Sequence, residues 1–186
     1  MKTVIQKAET LFVLFIIFAV AGWLYEAALT VISYGYFQNR GFLFGPWLPI
    51  YGFGGLGLYL VFGGLIKKPA RAWRKALRAA AVFAVICVLS AAFELAASYL
   101  LDALGIGFTT LWDYFGETPN FEGRISLISS LRFGVIGTAA LYAAVPLANL
   151  MENTKNRRLI HIVSAVLAVL FFVDLILRIP FGSNMG

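Results

Sequence analysis

The sequence predicts an all-α, polytopic bundle of five membrane-spanning helices with its N-terminus cytoplasmic, and three observations carry that prediction. The first is composition: of 186 residues, 61% are hydrophobic and 13% charged, with a mean hydropathy of +0.85, far too apolar for a soluble core of this length. The second is that five apolar stretches each reach the roughly 20 helical residues needed to cross a hydrocarbon layer. The third is that the basic residues gather in alternate connections, which sets orientation.

Span one, Thr10 to Ser33, follows Lys2 and Lys7. Ala19-Val20-Ala21 looks like a signal-peptidase site, but the apolar run continues through Trp23 to Ile32, which is a full span rather than a short signal core. Span two, Trp47 to Ile66, contains Gly52-Phe53-Gly54-Gly55-Leu56-Gly57. That string matches a dinucleotide fingerprint formally, yet no strand precedes it and it lies in an apolar span. These glycines, with Gly63 and Gly64, are expected to be close-packing positions between helices. Spans three to five are Ala76 to Leu101, Ile125 to Leu150 and Leu159 to Ile179. Together they make one transmembrane domain over residues 1–186.

Lys67, Lys68, Arg71, Arg74, Lys75 and Arg78 separate spans two and three, and Lys155, Arg157 and Arg158 separate spans four and five. With Lys2 and Lys7 these fall on one side of a five-span protein, the cytoplasmic side. The net charge of +6 is thereby topological, with attraction to inner-leaflet lipid as a by-product, and nucleic acid is not implied. The remaining charges collect toward the outer ends of the spans. Glu26, Glu94 and Asp174 come late in outward-running spans and Arg132 early in an inward-running one. An ionisable group at a helix centre costs about 2.5–3.5 kcal/mol on insertion scales, so each should face protein or water. One reading pairs them as bundle glue, Asp174 with Arg178 one helical turn on and Arg132 with Glu94 between helices. The other makes Glu26 and Glu94 part of a functional site.

The loop from Tyr34 to Tyr51 carries Asn39 and Arg40, with Pro46 and Pro49 suited to a helix's opening turn. Its apolar residues predict that it dips back against the bundle, which requires internal partners for its backbone. Arg40 and Arg124 beside outward-facing helix starts would attract a phosphate or carboxylate; Arg40 holding loop carbonyls is the alternative. The loop from Asp102 to Glu122 is broken by Gly105, Gly107, Gly116 and Pro119, and its Phe108, Trp112, Tyr114 and Phe115 suit the membrane interface. Asp113 is either ligand-facing or a local cap. The chain has one cysteine, Cys87, and one histidine, His161, which gives no Cys/His metal cluster, disulfide or Ser-His-Asp triad. There is no P-loop, no cofactor is expected, and any ATP-driven activity needs a separate subunit.

Several motifs cluster at the outer ends: Gly22-Trp23 with Glu26; Asn39-Arg40-Gly41-Phe42-Leu43 with Gly45-Pro46; Pro49-Ile50-Tyr51-Gly52; Glu94 with Ser98; Trp112-Asp113-Tyr114; and Asn120 with Gly123-Arg124-Ile125. On these the chain resembles the putative ABC-transporter type IV, CmpB-like family of bacterial membrane proteins over roughly Leu11 to Asn149. The resemblance leaves out span five and so says nothing of Asp174. Relatives in that family carry a cysteine where this chain has Leu48, and an apolar residue where it has Arg132. The resemblance implies a permease-like component of the bacterial cytoplasmic membrane, working in the lipid bilayer with a separate ATPase subunit, and five small spans are expected to need a second copy (a homo-oligomer) or a partner to enclose a pathway. Its expected substrate-binding residues are Glu26, Asn39, Arg40, Glu94, Trp112, Asp113 and Arg124, taking an anionic or zwitterionic solute or a lipid headgroup. The rival is an intramembrane enzyme acting on a lipid or lipid-linked substrate, with Glu26 or Glu94 as general base. A structural partner whose charges only register helices is the third reading. The basic segment from Lys67 to Arg78, with Trp73 as an anchor, is either the cytoplasmic contact or simply a stop signal.

Overall fold

A computed structural model describes residues 4–181. It contains five long helices: α1 Val4–Tyr34, α2 Pro49–Lys67, α3 Ala72–Ala103, α4 Leu127–Asn153 and α5 Arg157–Phe181. All five are long and apolar enough to cross a membrane, because in lipid only a helix satisfies every backbone group within one segment. Between α3 and α4 lie a short turn at Phe108–Thr110 and a two-stranded antiparallel hairpin, β1 Asn120–Phe121 and β2 Ile125–Ser126. The fourth helix therefore starts at Leu127, not at Ile125. Asn120 pairs with Ser126 and Phe121 with Ile125, and the turn closes through Arg124 N–H donating to Phe121 C=O at 2.9 Å. Glu122 and Gly123 there have φ of 53° and 65°, a left-handed pair that glycine makes accessible at the second position.

Helix boundaries follow local chemistry. Pro49 opens α2, where its missing N–H would have had no intrahelical partner. Ser126 Oγ accepts from Ser129 N–H at 2.9 Å, a serine cap on α4. The α3 terminus is a Schellman closure: Gly105 at φ 74° lets Ile106 N–H reach Leu101 C=O and Gly105 N–H reach Asp102 C=O, both at 3.0 Å. At the other end of α3, Arg78 donates to Lys68 C=O at 2.6 Å and Leu65 C=O at 3.2 Å. One cation of the basic segment thus covers the carbonyls at the end of α2. Trp73 is exposed, with the Arg74 guanidinium 5.1 Å from its ring.

The chain divides into two compact units. The first holds residues 1–64 and 143–186: α1, most of α2, the second half of α4, and α5. Its core is Phe15, Ile16, Ala19, Leu43, Trp47 and Phe171, flanked by Phe12, Val20, Leu56, Leu167 and Leu175. The Phe15 ring meets Phe53 at 4.9 Å and Phe171 at 5.4 Å, both edge-on, the arrangement that ring quadrupoles favour. In lipid the hydrophobic effect does not drive such contacts; close packing and hydrogen bonding do. The glycines of α2 divide accordingly. A methyl group on Gly52 would stand 2.6 Å from the Phe15 ring, and one on Gly55 would overlap Phe18, whereas Gly54, Gly57 and Gly64 face open space and Gly63 meets only Tyr59 of its own helix. Close packing between helices is therefore the role of Gly52 and Gly55, not of the whole set.

At the opposite end of this unit from the α1–α2 loop, Arg157 of α5 pairs with Glu9 of α1 at 2.7 Å, and His161 Nδ1 lies 2.6 Å from the other Glu9 oxygen. The second unit, residues 65–142, holds α3, the connection with its hairpin, and the first half of α4.

Candidate functional site

The site residues expected from the sequence fall into two groups, one in each unit. In the first unit the α1–α2 loop folds inward, as its apolar residues required. Leu43 is 1% exposed, and Leu48 N–H donates to Ala19 C=O of α1 at 3.0 Å. The backbone turning through Phe44 and Gly45 is satisfied by Asp174 of α5, which accepts from Phe44 N–H at 3.0 Å, Gly45 N–H at 2.7 Å and Trp47 Nε1–H at 2.6 Å. Asp174 is therefore a loop anchor, and the i, i+4 pairing with Arg178 does not form: three fixed donors on the loop offer the carboxylate more than one flexible guanidinium does.

That anchored loop delivers Asn39 and Arg40 to the last turns of α1. Asn39 Oδ1 accepts from Trp23 Nε1–H at 2.8 Å and from Gly41 N–H at 3.1 Å. Arg40 Nε lies 3.7 Å from Glu26 Oε2, and Glu26 Oε1 accepts the Tyr51 hydroxyl proton. Gly22 makes this possible, since any side chain there would occupy the space of the Tyr51 ring. Motif pieces that are distant in sequence, Gly22-Trp23, Glu26, Asn39-Arg40 and Tyr51, therefore form one cluster.

The second group is built on α3, the hairpin and the start of α4. Glu94 is buried, at 8% exposure. Its Oε1 accepts from Tyr114 Oη–H at 2.6 Å and from Ser129 Oγ–H at 3.2 Å, and Ser129 Oγ is 2.9 Å from the Tyr114 oxygen. Burial, reinforced by the hydrogen bond to Glu94, pushes the Tyr114 phenol above its ordinary value. Arg132 does not pair with Glu94; it donates to Glu117 Oε1 at 2.8 Å, and Glu117 Oε2 also accepts from Ser126 Oγ–H. The Trp112-Asp113-Tyr114 motif is stitched to the hairpin: Trp112 Nε1–H donates to Arg124 C=O at 2.9 Å and Tyr114 N–H to Gly123 C=O at 3.0 Å. Asp113 Oδ1 accepts from Phe115 N–H at 2.7 Å, the local cap that was one of its two readings. The Arg124 guanidinium lies 4.4 Å from both the Tyr99 and Phe108 rings, with Asp102 at 2.6 Å and Glu122 at 3.2 Å. Sequence reasoning missed Tyr51, Tyr114 and Ser129 as partners of the two glutamates. The motif positions of Tyr51 and Tyr114 were the signal, but nothing local links either to its carboxylate.

The two groups differ in chemistry. Glu94 is sealed by a phenol and a hydroxyl, while the Glu26–Arg40 pair is long and open, with side chains 22% and 33% exposed. Among the described residues no group of three or more His, Cys, Asp or Glu is placed to hold a metal ion. Removing the Tyr114 hydroxyl leaves the Glu94 oxygen short of its closest donor in a buried setting. Tyr114→Phe is expected to lower stability by about 1–3 kcal/mol, read as a fall in melting temperature in mild detergent; an unchanged melt would show that water replaces the hydroxyl freely.

The family described as putative ABC-transporter type IV matches residues 13–179. The match takes in the fifth helix and Asp174, which lay beyond the span of the motif resemblance. No curated protein and no solved structure matches the chain.

Proposed function

The chain belongs to the putative ABC-transporter type IV family, and from that membership we propose that this multi-pass membrane protein is the permease-like component of a transporter. It takes an anionic or zwitterionic solute or lipid headgroup at the Glu26–Arg40 pair. The observation that supports this reading is the placing of that pair, 3.7 Å apart and part exposed, in the cluster that the anchored loop completes. A part-solvated ion pair of this length contributes about 0–1 kcal/mol, so the pairing with Glu26 itself offers an incoming anion little resistance. The fork of Arg40 suits a carboxylate or phosphate, and Glu26 offers a complementary oxygen to an ammonium group while keeping the Tyr51 hydroxyl. Asn39, held by Trp23, fixes the loop beside the arginine. In the second unit Glu94, Trp112, Asp113 and Arg124 are bonded within their own unit and hold its external loop in shape.

The basic residues at the other ends of the helices orient the N-terminus to the cytoplasm of a bacterial cell, so the pair opens outward. The chain has no P-loop, and a separate ATPase subunit supplies the energy. Its contact is the basic segment from Lys67 to Arg78, and a second copy of the chain completes the pathway.

The test is uptake or growth supported by Glu26→Gln and Arg40→Ala at matched membrane levels. Each variant is expected to reduce transport about tenfold or more, the effect of losing a charge-assisted contact of about 1.5–3 kcal/mol. Wild-type behaviour of both would sink the proposal.

A further inference from the structure

Arg178 is a cation of the first unit with no carboxylate partner among the described residues. It sits in the last turn of α5, half-buried, with its guanidinium 5.1 Å from the Phe42 ring and 5.1 Å from the Phe44 ring. Its Nε is buried without a hydrogen-bond partner among the described residues. Arg124 has the same clamp of two rings, but two carboxylates neutralise it. Arg40, Arg132 and Arg157 also have carboxylate partners. For Arg178 the natural partner is Asp174, one turn back on the same helix, and that carboxylate is committed to the loop amides and Trp47.

The end of a helix accounts for a cation at this position, since it favours positive charge, but it does not occupy the guanidinium's donors. Phe42 and Phe44 are 60% and 46% exposed, and they hold the planar group in one place. The rotamer entropy of an arginine is thus already spent before any ligand arrives, which leaves a pre-oriented fork with unused N–H groups. Arg178 lies in the last turn of a helix long enough to cross the hydrocarbon layer, at the level of the headgroups, where the abundant planar-fork acceptor is phosphate.

We infer that Arg178, clamped by Phe42 and Phe44, is a phosphate-binding site that takes the phosphodiester of a phospholipid headgroup. The site is separate from the Glu26–Arg40 pair and stands or falls independently of it. The loop connects the two: it carries Arg40 shortly before Phe42 and Phe44, so an occupied phosphate site would brace the segment that presents Arg40.

The test uses the full-length protein in mild detergent after a common delipidation. Dioleoyl phosphatidylglycerol, a phosphate-free glycolipid of matched chains, and inorganic phosphate are titrated in turn, with native mass spectrometry and melting temperature as readouts. Phosphatidylglycerol is expected to bind the wild type, Arg178→Gln to bind it about ten- to a hundredfold more weakly, and Arg178→Lys to fall between. Arg40→Ala is titrated beside them: a loss on Arg178→Gln that Arg40→Ala does not reproduce assigns the phosphodiester to Arg178, and a loss confined to Arg40→Ala overturns the site. Stabilisation by inorganic phosphate alone, dependent on Arg178, would support the phosphate site and reassign its source to a soluble anion. Equal binding of phosphatidylglycerol by wild type and Arg178→Gln, with no Arg178-dependent response to phosphate, would overturn it. If Arg178→Gln does not fold, the wild type decides: equal affinity for phosphatidylglycerol and the phosphate-free glycolipid overturns the site.

Discussion

Asp174→Ala is expected to destabilise the protein by about 3–5 kcal/mol and to release the loop between α1 and α2. Three donors, Phe44 N–H, Gly45 N–H and Trp47 Nε1–H, converge on this buried carboxylate. Each orphaned buried donor costs about 1–3 kcal/mol, and the three share one relaxation, so the total falls short of their sum. Apolar solvent makes the loss harder to repair, because water reaches such a loop poorly. Asp174→Asn is the informative companion. It keeps the volume and one acceptor oxygen but turns an amide N–H₂ toward other N–H groups, so it should show a clear but smaller loss. Hydrogen exchange read by mass spectrometry over residues 41–47 checks the mechanism: the amides of Phe44 and Gly45 should lose protection selectively. Unchanged protection and melting temperature in Asp174→Ala would mean that the loop holds itself.

Gly22→Leu carries the second large effect, and it acts on function through packing. The Tyr51 ring fills the space that a side chain at position 22 would take, and the hydroxyl at the far end of that ring is bonded to Glu26. A leucine must either displace the ring or separate α1 from the start of α2. Forced overpacking costs about 1–3 kcal/mol and sometimes more. Displacement of Tyr51 also removes a donor from Glu26, so substrate handling at the Glu26–Arg40 pair should change even where the variant inserts and folds. Tyr51→Ala in the Gly22→Leu background removes the clash. Partial recovery of stability without recovery of transport is the expected result, and additive losses in the double variant would refute the steric account.

The five helices were legible because length and apolarity are sufficient in a membrane, where no irregular segment can stand in. Even so, α1 and α3 extend several residues beyond their expected ends, as Val4–Tyr34 and Ala72–Ala103, since backbone hydrogen bonding continues past the apolar core into the interface. The inward fold of the α1–α2 loop was legible from Leu43, Trp47 and their neighbours. What held it was not, because Asp174 is 127 residues from Trp47 and has a plausible local partner in Arg178. Arg132 was paired with Glu94 for a different reason, opposite charge at a similar expected depth on adjacent spans. In the structure a phenol and a serine serve the glutamate, while Arg132 turns to Glu117. The hairpin escaped notice because two strands of two residues each are shorter than any alternation pattern.

The anchoring of the α1–α2 loop by α5 has a consequence for biogenesis. The loop between α1 and α2 is made and inserted before α5, the helix that carries the carboxylate closing it. Until α5 has entered the bilayer, the amides of Phe44 and Gly45 have no lasting partner, so Arg40 is not yet held in place. A chain in which α5 has not yet been made would thus be inserted with this loop unclosed, and the fifth helix acts as the latch that completes the first unit.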